Sequence, residues 1–238
     1  MTRPSPRLMS AHASSLCREH GIARGGESPF SKKIMAVIGN LVDQGWADTV
    51  NRRLHYPVVI STKSYFVAMH EIGHMLLGHI IMEDDPLWRV LAIEAEANQW
   101  AKDHMLEGSW DAPARRCCHR QLDMNLENMI FLATQCGIPV PTWLPPADHL
   151  FWTLYGTSRQ TWLEQKEIED IETEPMSVLG LGERIYEIRC EEDPTETKIE
   201  SIEEWRSNWD WVDPILVSDH PTAIISDTTN RPITPFCG

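Results

Sequence analysis

Five consecutive residues, His70-Glu71-Ile72-Gly73-His74, carry the strongest chemical signal in the chain. Two histidines four apart share one face of a helix, one turn apart. Their ring nitrogens can meet on a single metal ion. Glu71 lies next to the first of them, near enough to reach a water polarised by that metal. It can take the water's proton and pass it to a leaving amine, as general base and then general acid. This is the H-E-x-x-H pattern of zinc peptidases. The segment around it is otherwise apolar, with Phe66, Val67, Ile72, Met75, Leu76 and Leu77. Histidine and glutamate buried in such a helix need partners, and a metal supplies them.

A metal of this kind needs a third protein ligand. The run Glu94-Ala95-Glu96-Ala97-Asn98-Gln99-Trp100-Ala101 offers it. Glu94 and Asn98 are four apart and share a face, while Glu96 points elsewhere. Glu94 is therefore the expected ligand. Asn98 is expected to support the site by hydrogen bonding to a motif histidine's remaining N–H or to the helix itself. Other groups rank lower. On a continuing helix His79 would lie about 140° around from His74, so it is expected to cap carbonyls at the helix end. Cys117-Cys118-His119 with Cys136 lacks the two-residue gap of ordinary zinc knuckles, and buried thiols are expected there. Tyr65, His104, His119 and His149 are unranked candidates for stabilising an oxyanion.

The elements that must position these residues are mostly helical. A first helix is expected over 5–20, capped by Ser5 with Pro6 in its first turn. A second follows Ser31 to about Gln44. The β-branched run at 57–61 reads as a short strand. The motif helix should span Ser64 to about Ile80, and the next 87–107, ending at Gly108. A further helix is expected over 121–136, ending at Gly137. Pro139, Pro141, Pro145 and Pro146 make the next stretch irregular, and 148–170 reads as helical. Beyond 171 the pattern weakens, although Trp205, Trp209 and Trp211 are too apolar for a wholly disordered tail.

Length and charge set the outer bounds. A chain of 238 residues makes one domain, or one plus an appendage. Its net charge of −14 argues against direct, sequence-independent binding to nucleic acid. The charge is uneven: residues 161–238 hold 19 of the 35 acidic and 6 of the 21 basic side chains. That asymmetry divides the chain into a near-neutral body, 1–160, and an acidic C-terminal extension, 161–238. No apolar run reaches the roughly 18–20 residues of a membrane span, and the N-terminus lacks the apolar core of an export signal. Six cysteines without a dense framework fit reduced thiols in a cytoplasm. The expected fold class is α+β: a mostly helical domain with a small β element, plus the acidic extension.

The run His70-Glu-Ile-Gly-His-Met-Leu-Leu-Gly-His79, followed by Glu94 to Ala101, resembles the ImmA/IrrE metallopeptidase family. The resemblance covers about residues 30–137, with its specific part at 65–107. It implies a zincin-like fold in which His70, His74 and Glu94 hold the metal and Glu71 is the catalytic base and acid. It also implies Zn2+, with Mn2+ as an alternative, and a helix-turn-helix repressor of a phage, mobile element or stress pathway as protein substrate. The chain departs from the family at His104-Met105-Leu106-Glu107, where Leu-Met-Pro is frequent. Lys63 is the nearest cation where an arginine often precedes the motif helix. The expectation is a cytoplasmic metal-dependent peptidase acting on a regulatory protein. Two alternatives remain beside it: a non-catalytic, metal-stabilised module that sequesters a repressor, and a toxin or counter-defence protease acting on a host factor.

Overall fold

The protein, seen in a computed structural model, is described over residues 3–25, 45–82, 84–170, 176–181 and 184. The helix expected over 31–44 and the acidic segment carrying Trp205, Trp209 and Trp211 lie outside these residues. The described elements are α1 (Pro6–Glu19), β1 (Ala23–Arg24), β2 (Trp46–Asp48), β3 (Arg53–His55), α2 (Thr62–Leu77), α3 (Arg89–His104), α4 (Ala112–Cys136), a 3-10 turn (Val140–Trp143), α5 (Leu150–Tyr155) and α6 (Arg159–Gln165). The architecture is mostly helical with one small sheet, an α+β arrangement. No helix among the described residues is long and apolar enough to cross a membrane.

The motif helix α2 has strong local reasons to start and stop where it does. Ser61 accepts from the Ser64 backbone N–H at 3.2 Å, and the Ser64 hydroxyl accepts from the Ser61 backbone N–H at 3.1 Å. This reciprocal cap satisfies two donors that the first turn would otherwise leave open. At the far end Gly78 turns left-handed, with φ 66°, which only glycine adopts without strain. Between these caps Tyr65, Phe66 and every residue from Ala68 to Met75 are buried, histidines and glutamate included.

The strand expected over 57–61 does not form. Pro57 has no N–H to give a ladder, and Val58 and Ile60 point into solvent. The strands lie just before it instead. β2 and β3 run antiparallel, pairing Ala47 with Leu54, and β1 runs parallel to β3 on its other side. Asp48, buried in β2, accepts from Asn51 N at 2.9 Å and from Arg53 Nη2 at 3.1 Å, which fixes the turn between the two strands. Helix α4 starts nine residues earlier than expected. Asp111 caps it by accepting from Ala114 N, and Pro113 suits its first turn. The polar run Arg115–Arg120 had masked that turn from the apolar periodicity. The single helix expected over 148–170 is two short ones, separated where Gly156 adopts φ 89°.

Two packing features hold α2 in place. Gly73 lets α2 and α3 approach closely: a Cβ there would lie 3.1 Å from Ala97 O and 3.2 Å from Trp100 Cε3. The Tyr65 hydroxyl, on a fully buried ring, shares a hydrogen bond with His12 Nδ1 at 2.6 Å and accepts from Leu106 N at 3.2 Å. It thus ties α1, α2 and the end of α3 together. At the start of α3, Leu87 N donates to Met176 O and Val178 N donates to Asp85 O, both at 2.9 Å. Trp162, Leu163, Val178 and Leu181 join the same core as Met9, Leu54 and Phe66. Packing on the body therefore runs past residue 160.

Burial pushes the Tyr65 phenol up to about 12 from an ordinary 10.0. In the unfolded chain it ionises near 10, so the folded form keeps its full advantage below that pH. The advantage is lost as pH climbs from about 10 through about 12, and amounts to about 2 kcal/mol by the upper end. Urea midpoints measured between pH 8 and 11.5 should fall over this range, and a flat profile would contradict the buried phenol.

Candidate metal centre

Helices α2 and α3 bring three side chains to one point. His70 Nε2 and His74 Nε2 lie 3.0 Å apart, as expected for residues one helical turn apart. Glu94 reaches across from α3, with Oε2 at 3.4 Å from His70 Nε2 and Oε1 at 3.4 Å from His74 Nε2. All three side chains are at most 3% exposed. Among the described residues this is the one group of three or more His, Cys, Asp or Glu whose ligand atoms converge. Cys117, Cys118, His119 and Cys136 do not make a second.

The proton placement around His74 suits a metal. Glu96 only accepts, so His79 Nε2, at 3.0 Å from Glu96 Oε2, carries a hydrogen. Burial pushes the pKa of His79 down, and its bond to Glu96 offsets this only in part, which favours the neutral ring. A neutral His79 then accepts at Nδ1, and His74 Nδ1, 2.8 Å away, is the donor. His74 Nε2 then presents its lone pair toward His70 and Glu94. Glu96 is itself gripped by Arg89 Nη1 at 2.6 Å. Burial pushes this carboxyl up, but the hydrogen bonds from His79 and Arg89 and the arginine's charge outweigh it and hold Glu96 at about 2. A chain of Arg89, Glu96 and His79 thus fixes the ring of His74, as partners behind a metal-binding histidine do. Two imidazoles and a carboxylate also form a ligand set that suits a catalytic divalent ion. The residues present fit such an ion.

The chain matches no protein-family model, no curated protein and no solved structure.

Glu71 is 1% exposed and follows His70 on α2. Its side chain packs on the backbone of Gly45, just before β2. A Cβ at Gly45 would lie 2.4 Å from both Glu71 Cγ and Oε1. The small sheet thus presses a bare backbone against the carboxylate and sets where it points. Gly45→Ala forces the carboxylate aside, and a displacement of about 1 Å costs on the order of 10²-fold in turnover. Metal content should stay at the wild-type level. Unchanged turnover in this variant would show that the position of Glu71 does not matter.

The structure sorts the remaining candidates. Glu94 converges with the two histidines, while Glu96 lies behind them, bonded to His79 and Arg89. Asn98 shares the buried face of α3, but neither of its amide atoms has a hydrogen-bond partner among the described residues. The expected bond to a motif histidine is not made, and His79 makes it instead. His79 does not cap carbonyls through its ring. Tyr65 faces α1, His104 stacks on Trp100 with its Nδ1 bonded to Trp100 O, and exposed His119 stacks on Tyr155. His149 caps Phe151 N and lies 4.0 Å from Glu96. None of these four touches the triad. Besides His79, Gln121 of α4 does, with its Nε2 2.9 Å from His70 Nε2 and 3.2 Å from Glu94 Oε2. No spacing rule links a glutamine on a third helix to the motif, so the sequence offered no signal for it.

Proposed function

We propose that the protein is a metal-dependent peptidase of the ImmA/IrrE type, hydrolysing a peptide bond in a regulatory protein of the cytoplasm. The observation that carries this reading is the buried convergence of His70, His74 and Glu94, with Glu71 adjoining on the same helix. The ion would be Zn2+, with Mn2+ the alternative, and His70, His74 and Glu94 would hold it. Such an ion, when bound, polarises the scissile carbonyl and acidifies water toward neutral pH. The rest of the work falls to the chain's own side chains. Glu71 accepts the proton from water at its carboxylate and later delivers it to the leaving amine nitrogen. Gly45 keeps that carboxylate aimed. His79, backed by Glu96 and Arg89, keeps the His74 ring from turning.

The substrate class comes from the motif resemblance, which points to a helix-turn-helix repressor. The zincin-like fold belongs to the same proposal. The test is incubation of the metal-loaded protein with repressors encoded beside its gene, followed by mass mapping of the products. A single specific cut that disappears on chelation is the expected result. A repressor bound but intact would favour a sequestering module over a peptidase.

A further inference from the structure

We infer that Gln121 is a fourth, exchangeable ligand of this metal centre, holding through its side-chain carbonyl the position opposite the triad. The inference rests on the metal-centre reading above and names one further residue in it. Four ligands at about 2.0–2.1 Å from one ion in a tetrahedron lie about 3.3–3.4 Å from one another. The triad keeps nearly that spacing, with edges of 3.0, 3.4 and 3.4 Å. The terminal atom of Gln121 continues the same figure, at 2.9 Å from His70 Nε2 and 3.2 Å from Glu94 Oε2. It stands at ligand spacing from two of the three corners.

The amide's orientation decides what it does there. With Nε2 inward, its hydrogens point at the two lone pairs that a cation would take. A half-turn about the last side-chain torsion exchanges nitrogen and oxygen with almost no change of shape. Oε1 then faces the ion, and the amide nitrogen turns away from it. A carboxamide oxygen is neutral and binds more weakly than imidazole or carboxylate, so a competing small ligand can displace it. It also makes the donor set two nitrogens and two oxygens, which accepts Mn2+ as well as Zn2+. The role differs from a hydrogen bond that merely steadies Glu94, because it changes the number of protein atoms on the metal.

The experiment loads full-length wild-type protein, Gln121→Ala and Gln121→Glu with Co2+. It records the visible ligand-field bands, the Co2+ affinity by chelator competition, and the affinity for azide. Gln121→Ala should bind Co2+ about tenfold more weakly, but loss of a supporting hydrogen bond would also do that. The deciding results are the other two. The bands of Gln121→Ala should shift, and azide should bind at least about fivefold more tightly once the carbonyl no longer competes for the fourth position. Gln121→Glu, with an anionic oxygen in the same place, should tighten Co2+ binding and weaken azide. Bands and azide affinity identical in wild type and Gln121→Ala would overturn the inference and leave the triad standing. Failure of the wild type to take up Co2+ would overturn the metal centre and this inference with it.

Discussion

Glu71→Gln is expected to lower turnover by about 10²–10⁴-fold while the protein keeps its metal. Glutamine keeps the length and shape of glutamate, so the contact with Gly45 survives. What is lost is a group that can take a proton and return it. The ligand atoms of His70, His74 and Glu94 are untouched, so metal content and thermal stability should match the wild type. The comparison is between peptide-bond hydrolysis and metal content on the same preparations. Full activity in Glu71→Gln would remove the proposed base. Loss of the metal would instead make Glu71 part of the binding site.

His74→Ala should lose the metal and a large part of the fold's stability. His74 is fully buried and, among the described residues, meets His70, Glu94 and His79. Its removal leaves a cavity, strands one acceptor of His79 and takes a ligand from the triad. Together these cost about 2–5 kcal/mol before any metal contribution is counted. Metal binding free energy is also folding free energy, so the midpoint in denaturant should fall further in metal-loaded samples than in chelated ones. The check is a pair of urea titrations on wild type and variant, each with and without chelator. An unchanged metal content, or equal effects in both conditions, would count against the site.

What the sequence made readable follows the helix repeat. The motif histidines and Glu94 were placed by spacing alone, because 3.6 residues per turn fixes which side chains meet on one face. The same rule separated Glu94 from Glu96. It failed at His79, because α2 has already ended there. Gly78 turns the chain left-handed, His79 N bonds back to His74 O, and the His79 ring folds onto His74. An angle counted along a continuing helix does not apply beyond such a turn. The pairing of Arg89 with Glu96, seven apart on α3, was legible in principle as two turns of one face. Gln121 and Gly45 were not. Each reaches the site from an element distant in sequence, and contacts of that kind come from tertiary packing rather than local periodicity. The strand expected at 57–61 was misplaced for a simpler reason: β-branched residues mark extended chain, but Pro57 denies it a ladder.

The most direct measurement is metal stoichiometry and coordination on the purified full-length protein, by elemental analysis followed by X-ray absorption at the metal edge. The site described above predicts one divalent ion per chain in a shell of nitrogen and oxygen, with imidazole scattering that is absent in His74→Ala. A folded protein that holds no stoichiometric metal after reconstitution would contradict it.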